Sequence, residues 1–578
     1  MQGRFCSRFT LSFYMSHPVY GAIEMDLREP PRLIFNTDGH WIINYQDRWE
    51  PKDITKMMPT LVDAGVDALS VLVGIDDDLS WRGSPHGQLW GDNIEDWNPD
   101  PLPTDIHGHP LRDAQPLHIH GRPVKEIDGR MPANAHECLY RLFAKLIQDG
   151  HDLMRIYIEG ARKHNLTIYT SFRMNDAHAC DEARGWYGRS RQKTERPDLL
   201  LGSPVPAGVH GADWSFSWRW NYAKAEVRER FLGLFDETLA RYDFDGLELD
   251  FSRAPPFFRS GEIIENMPTL TQFMRDAQEI VKRHSASKGR ELRLIVRVPV
   301  GVGENLEAGI DTETWIREGL ADIVVLGSPG YCVHEIDIHK AVSFAEESGT
   351  LVFTGFDGAT YTVSPQEGYE RSPSSVLRAT ALNGYREGAA GVHLFNYDYP
   401  SHRAGPTDAS NFNIFDDYHL QTIQDLREPS SLEQRNRCYY LPSPDAVGRA
   451  DHRLQVPRKL ALMARGGGSE HAMHLTVHDD IEGGKAEGRI RGTKLRLRME
   501  DLEGAFDRIH FEVNDTSLPF IPSRTVTNSQ DQQWLVFDDP PLREGLNTIL
   551  LVLEGIETPD PWPSIQQCEI LVLTSDVT

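Results

Sequence analysis

Cysteine is scarce in this chain of 578 residues. The six cysteines, Cys6, Cys138, Cys180, Cys332, Cys438 and Cys568, stand far apart and form no C-x-x-C pair. That spacing excludes a disulfide-stapled scaffold and a zinc ribbon. No apolar run reaches the roughly 18 residues that a membrane-spanning helix requires. Positive charge is also in deficit, with 60 Lys and Arg against 86 Asp and Glu, a formal net charge of -26. Such a surface repels phosphate backbones and anionic lipid, so nucleic acid and membrane are both expected not to be partners. Phosphate-binding loops, dinucleotide-binding glycine fingerprints, G-x-S-x-G elbows and H-E-x-x-H helices are all missing. The N-terminal stretch around Phe9–Met15 is short, is broken by Thr10 and Ser12, and lacks a small-residue cleavage site. It reads as a poor signal peptide, which leans localisation towards the cytoplasm without excluding export.

What the chain does have is apolar content for large cores, with 39% hydrophobic residues. Eight short β-branched or apolar runs punctuate residues 30–430. They are 32–36, 68–74, 166–172, 246–251, 292–298, 322–327, 351–356 and 391–396. Amphipathic stretches separate them, such as Ala223–Tyr242 with Phe231, Leu234, Phe235 and Leu239 on one face, and a capped start at Asp311. Continuous apolar strands alternating with helices predict a parallel sheet covered on both faces, and eight units are the number that closes a (β/α)8 barrel. A long Pro-, Gly- and His-rich insertion over 75–135 follows the second run, which places it on the carboxyl face of such a barrel. Beyond about residue 440, strand-like runs follow one another with Gly-, Asp- and Pro-rich turns, which predicts an antiparallel β-sandwich. The expected division is therefore an N-terminal extension over 1–29, a barrel over 30–435 and a sandwich over 440–578.

The segment Arg241-Tyr-Asp-Phe-Asp-Gly-Leu-Glu-Leu-Asp-Phe-Ser-Arg253 concentrates the chemistry. Glu248 and Asp250, two apart on a strand, point to one face, towards the barrel lumen, while Leu247, Leu249 and Phe251 face the helices. Asp250 falls at the strand's carboxyl end, where barrels carry their reactive groups, with Arg253 close by. The third run ends in a polar cluster, Arg173, Asn175, Asp176 and His178. The eighth contributes His393 and Asn396, and the first ends in Asp38 and His40. Trp214 and Trp218 offer flat faces on which a sugar ring can stack, or else pack a loop onto the barrel. Asp176 and His178 are of metal-ligand type, but no paired-histidine spacing supports a metal, and neither a metal nor a cofactor is expected.

The run Tyr222-Ala-Lys-Ala-Glu-Val-Arg228 followed by Tyr-Asp-x-Asp-Gly-x-Glu-x-Asp resembles bacterial glycoside-hydrolase-like barrel proteins. The segments Arg297-Val-Pro299, Gly309–Trp315 and Gly319–Val324 are similar to the fifth and sixth strands of that group. The resemblance covers most of residues 30–430. It implies hydrolysis of glycosidic bonds in an oligo- or polysaccharide by two carboxylates. By similarity to the α-amylase-type arrangement it also implies Asp250 as nucleophile, Glu304 as general acid/base and Asp357 as stabiliser. From their own places along the strands and loops, Glu248, Arg253, Arg173, Asn175, Asp176, His178, Trp214, Trp218, His393 and Asn396 are expected around the substrate, with Asp176 an alternative acid partner of Asp250. Two rivals remain: a metal-dependent barrel hydrolase or lyase, and a non-catalytic carbohydrate-binding barrel.

Overall fold

The computed structural model describes residues 29–44, 50–74, 78–92, 118–119, 122–123, 135–176, 190–202, 217–327, 332–357, 374–398, 417–441, 460–461, 469–501, 506–519, 525–527, 533–555 and 563–574. Eight strands close a parallel barrel: β1 (Leu33–Thr37), β2 (Ala68–Leu72), β3 (Thr167–Arg173), β4 (Gly246–Asp250), β5 (Arg293–Val298), β6 (Ile323–Gly327), β7 (Leu351–Asp357) and β8 (Gly391–Phe395). Neighbours in sequence are neighbours in the barrel, and β8 pairs with β1 through Asn36 and Phe395. All eight expected runs became these strands, with ends differing by one or two residues. Their β-branched and apolar composition suits a pleated surface buried on both sides.

Alternation along the strands divides the barrel into two cores. Leu33, Phe35, Leu247, Leu249, Leu294 and Val296 belong to the large cluster that meets the surrounding helices. Ile34, Ala68, Tyr169, Ile295, Ile323, Val325 and Phe353 fill the lumen. The helices that matter for the site are α1 (Met58–Asp63), α2 (Ala135–Gln148), α3 (Leu153–Lys163), α4 (Arg191–Glu195), α5 (Ala225–Arg241), α6 (Ile263–Lys288), α7 (Val302–Asn305) and α8 (Thr312–Arg317). Phe231, Leu234, Phe235 and Leu239 of α5 are buried as their spacing predicts. Asp311 caps α8 by accepting from Thr314 N.

The antiparallel part starts at Arg437, in a strand Arg437–Leu441 that straddles the expected boundary at 440. It pairs with the last strand, Ser564–Thr574, so the two ends of this region close one sheet. A second sheet is built on Ser469–Val477 and Gly545–Leu553. Leu475, Ile549 and Leu551 from one sheet share a core with Leu495, Leu497 and Ile570 from the other. One short helix, Ile481–Ala486, interrupts the strands. None of the described helices is long and apolar enough to cross a membrane.

Candidate active site at the carboxyl mouth of the barrel

The fourth-strand segment serves both ends of the barrel. At the amino end, Asp245 accepts from Arg162 at 2.6 Å, from Arg290 at 2.7 Å and from Ile168 N at 2.8 Å. Asp243 takes a second arm of Arg290 at 2.6 Å. These bonds tie α3, β3 and the end of α6 to β4, so the first two carboxylates of the segment are barrel staples. Gly246 between the two ends has φ +152°, and a Cβ there would stand 1.9 Å from the Arg293 carbonyl oxygen. Only glycine lets β4 lie this close to β5.

One layer up, inside the lumen, lies Glu248. Its carboxylate accepts from Asn36 Nδ2 at 2.7 Å and Ser171 Oγ at 2.8 Å, and it pairs with His393 Nε2 at 2.8 Å. Burial opposes its ionisation, but His393 and the hydroxyls facing it hold it below the usual carboxylate range. Glu248 and His393, both fully buried, are thus brought together beneath the mouth. His393 Nδ1 is buried without a hydrogen-bond partner.

At the mouth three aspartates meet three arginines. Asp250 is fully buried and faces Arg297, whose Nη1 donates to both carboxylate oxygens at 3.0 and 2.9 Å. Ser252 N donates to Asp250 Oδ1 at 3.0 Å. The Arg297 guanidinium lies 3.9 Å from the centre of the Phe395 ring, a cation–π contact that fixes it further. Arg173 bridges Asp38 at 2.5 Å and Asp176 at 3.1 Å. Burial works against the charge on Arg173, but Asp38 and then Asp176 overcome it and raise its pKa. Asp38 is held below the usual carboxylate range by Arg173 and His40 against the opposing effect of burial. Arg253 is half-buried beside them. Burial first, and then the neighbouring charge of Arg173, lowers its pKa.

The eighth strand completes the rim. Asn396 has φ +46°, a left-handed conformation that costs a non-glycine residue on the order of 1 kcal/mol or more. Its Nδ2 donates to Asp38 Oδ2 at 3.0 Å. Asn396 Oδ1 and Asp38 Oδ1 are both buried without a hydrogen-bond partner. Asp398 accepts from Thr37 Oγ1 at 2.8 Å and Trp41 N at 3.0 Å, and burial pushes its carboxyl up to about 7. The pKa values of two neighbouring carboxyls are therefore driven apart, that of Asp38 down and that of Asp398 up.

The other expected residues fall in different places. Asn175 is fully buried and structural in its contacts. It donates to the Ala254 and Pro256 carbonyls and accepts from Trp220 N, which fixes the turn that carries Arg253. Trp218 is half-buried against the barrel's outer core. Glu304 sits in the first turn of α7, and its Oε2 folds over Gly301, where a Cβ would lie 2.1 Å away. No hydrogen bond or ion pair to a described residue holds the Glu304 side chain, and no contact joins it to Asp250. Asp357 ends β7, its backbone paired with Phe395; its side chain lies outside the described residues. His178 and Trp214 also lie outside them. Among the described residues no group of three His, Cys, Asp or Glu could hold a metal ion.

Arg297 and Asp398 belong to the mouth but not to the expected set. For Arg297 a signal existed: a charged residue in register with Ile295 on the inward face of an apolar strand. For Asp398 only its place just past a strand end pointed to the rim.

No protein-family model matches the chain, and no curated protein matches it in sequence. Among solved structures it is similar to the glycoside hydrolase domain of PgaB (BpsB) from Bordetella bronchiseptica, at 9% identity over 64% of this chain and 95% of that one, with a TM-score of 0.37. It is similar to the noncanonic maltogenic α-amylase AmyB from Thermotoga neapolitana at 11% identity, over 91% and 99% of the two chains, with a TM-score of 0.33. A glycoside hydrolase family 18 N-acetylglucosaminidase from Paenibacillus barengoltzii matches at 11% identity, over 69% of this chain and all of that one, with a TM-score of 0.32. Likeness at this level carries no information about activity.

Proposed function

We propose that the chain is a glycoside hydrolase acting on an oligo- or polysaccharide, with Asp250 as its central carboxylate. The observation that carries this reading is the buried cluster of Asp38, Asp176 and Asp250 with Arg173, Arg253 and Arg297 at the carboxyl mouth of a closed barrel. Placing so many charges out of water is costly unless they are paired, and barrels reserve this face for chemistry. Arg297 and Ser252 N fix the Asp250 carboxyl group in place, which suits attack on an anomeric carbon or stabilisation of its developing positive charge. The unpartnered oxygens of Asp38 and Asn396 supply acceptors for sugar hydroxyls.

Protonation of the leaving oxygen needs a carboxyl that is not locked as an anion. Asp38 and Asp176 are locked by Arg173. Asp398, raised to about 7, is buried with its Oδ2 held by Thr37 and Trp41 N, so the role is assigned to Glu304, which no described cation holds, or to Asp357 at the end of β7. Aryl glycosides separate these two. A proton-donor variant retains turnover when the leaving group is a weakly basic dinitrophenolate and loses it when the leaving group is an alcohol. Glu304→Gln and Asp357→Asn are the variants to compare.

The test of the function itself is release of reducing ends from a panel of polysaccharides by the wild type and by Asp250→Asn. Release that disappears in a folded Asp250→Asn supports the reading, and equal release by both overturns the role of Asp250. A second reading, non-catalytic glycan binding, is favoured by the arginine that each described mouth aspartate is paired with. It predicts that no panel member is cleaved, with or without added metal.

A further inference from the structure

Beside the mouth, between the insertion that follows β2 and the short helix α4, lies a groove of about 420 Å³. That is within the ordinary size range of small-ligand sites. We infer that this groove is a second saccharide-binding subsite, taking a neutral stretch of the chain whose reacting end lies at the mouth. The class of ligand rests on the glycosidic reading above.

The lining decides the ligand chemistry. Arg82, Gln88, Asp92, Arg191, Gln192 and Glu195 present two cationic groups, two anionic groups and two amides. Among the described lining residues the charges balance, so these residues favour neither an anionic nor a cationic ligand. Guanidinium donors, carboxylate acceptors and amides that do both together match the hydroxyls of a neutral sugar, each of which donates and accepts. Among the described lining residues there is no Phe, Tyr or Trp, so recognition by these residues runs through hydrogen bonds.

Both walls are set on rigid supports. On the insertion side, Trp81 Nε1 and Ser84 Oγ donate to the two oxygens of Glu237 on α5, at 2.8 and 2.7 Å. Arg230 Nε donates to the His86 carbonyl at 2.7 Å. Gln88 Nε2 donates to Asp78, whose other oxygen takes the Tyr140 hydroxyl of α2. Arg191 N donates to Gln88 Oε1 at 3.2 Å and so joins the two walls. A site held this way loses little freedom on binding.

The groove also belongs spatially to the mouth. Lys193 lies on the same helix as Arg191, Gln192 and Glu195. It is buried, its Nζ donates to the Asp176 carbonyl at 2.5 Å, and it lies 5.0 Å from the centre of the Trp220 ring. One side of α4 therefore grips the loop that carries Asp176, the partner of Arg173, and the other side lines the groove.

Electrophoresis through gels containing xyloglucan, mixed-linkage β-glucan, galactomannan or starch tests this, with alginate and carrageenan as acidic counterparts. The wild type is expected to be retarded by at least one neutral polymer. The double variant Arg191→Ala/Gln192→Ala is expected to lose that retardation at least twofold while keeping its turnover of aryl monoglycosides. Asp250→Asn is expected to stay retarded while releasing no reducing ends. A wild type retarded by no neutral polymer, retardation by acidic polymers alone, or a double variant retarded as strongly as the wild type would each overturn the inference. Retardation that depends on Arg191 and Gln192 without any hydrolysis would leave the groove standing and remove only the catalytic reading.

Discussion

The two ends of β4 carry the same chemistry in two different settings. At the floor, Asp243 and Asp245 pair with Arg162 and Arg290, whose side chains are 28% and 16% exposed. At the mouth, Asp250 pairs with Arg297 with neither side chain exposed, and Arg173 with Asp38 and Asp176 with at most 4% exposed. Floor cations reach water and also close backbone geometry, since Arg162 donates to the Asp243 carbonyl and Arg290 to the Phe244 carbonyl. Mouth cations are desolvated, and polar oxygens around them are left without partners. Stapling a barrel requires only the first arrangement. The second is costly to build and makes sense where a ligand arrives.

The largest separation between the two ends is expected from Asp250→Asn. It leaves Arg297 charged, buried and short of its counter-ion, a change that costs about 3–5 kcal/mol. Thermal melting should show that loss together with the loss of turnover. Asp250→Asn/Arg297→Met removes both charges and should recover most of the stability with no recovery of activity. Recovered activity in the double variant would sink the catalytic reading of the pair.

Asp245→Asn is the matching change at the floor. It weakens two arginine contacts and one backbone contact, each partly reachable by water, so about 2 kcal/mol of stability is expected to go. Activity per folded molecule should stay within about twofold, because floor residues of a barrel serve stability. A fall in kcat/KM comparable to that of Asp250→Asn would erase the distinction between the two ends.

This distinction was half legible in the sequence. Alternation along Gly-Leu-Glu-Leu-Asp puts Glu248 and Asp250 in the lumen, and the bonds of Glu248 to Asn36, Ser171 and His393 agree. The eight strands were legible because each is a short, largely apolar or β-branched run set between helix-like stretches. What spacing does not reveal is depth: Glu248 is two residues from Asp250, yet it lies one layer below and is fully satisfied there. Closure of the barrel is equally hidden. Asp38 and Asn396 stand 358 positions apart and meet only because β1 pairs with β8. Asp398 shows only its place past a strand end, since its raised pKa arises from burial beside Thr37 and Trp41, which come from the far end of the chain.

That burial yields a pH prediction. An unfolded aspartate titrates near 3.9, and Asp398 in the fold near 7. Between those values the folded chain holds the extra proton, so stability falls as pH rises through that window. Glu569, buried in the last strand, is raised to about 7 as well and acts in the same direction. Melting should therefore be higher at pH 5 than at pH 8. Asp398→Asn, neutral at both, should flatten part of the slope, and Glu569→Gln more of it. A slope untouched by Asp398→Asn means that the carboxyl is already ionised in the fold.

The finest discrimination comes from the two backbone conformations that β-strands ordinarily avoid, Gly246 at the floor and Asn396 at the mouth. Gly246 is a spatial requirement, because any side chain there would collide with the Arg293 carbonyl. Asn396 is different: its left-handed backbone is one that glycine adopts freely, so the asparagine side chain is kept despite strain. Asn396→Gly relieves that strain and gives up the bond to Asp38, two small effects of opposite sign, so melting is expected to move by less than about 1 kcal/mol equivalent. If the Asn396 amide orients substrate through Asp38 and its own unpartnered oxygen, KM should still rise several-fold with kcat less affected. If the amide serves only to hold the turn, stability should fall with KM unchanged, and the strain at this position would then be structural at the mouth just as it is at the floor.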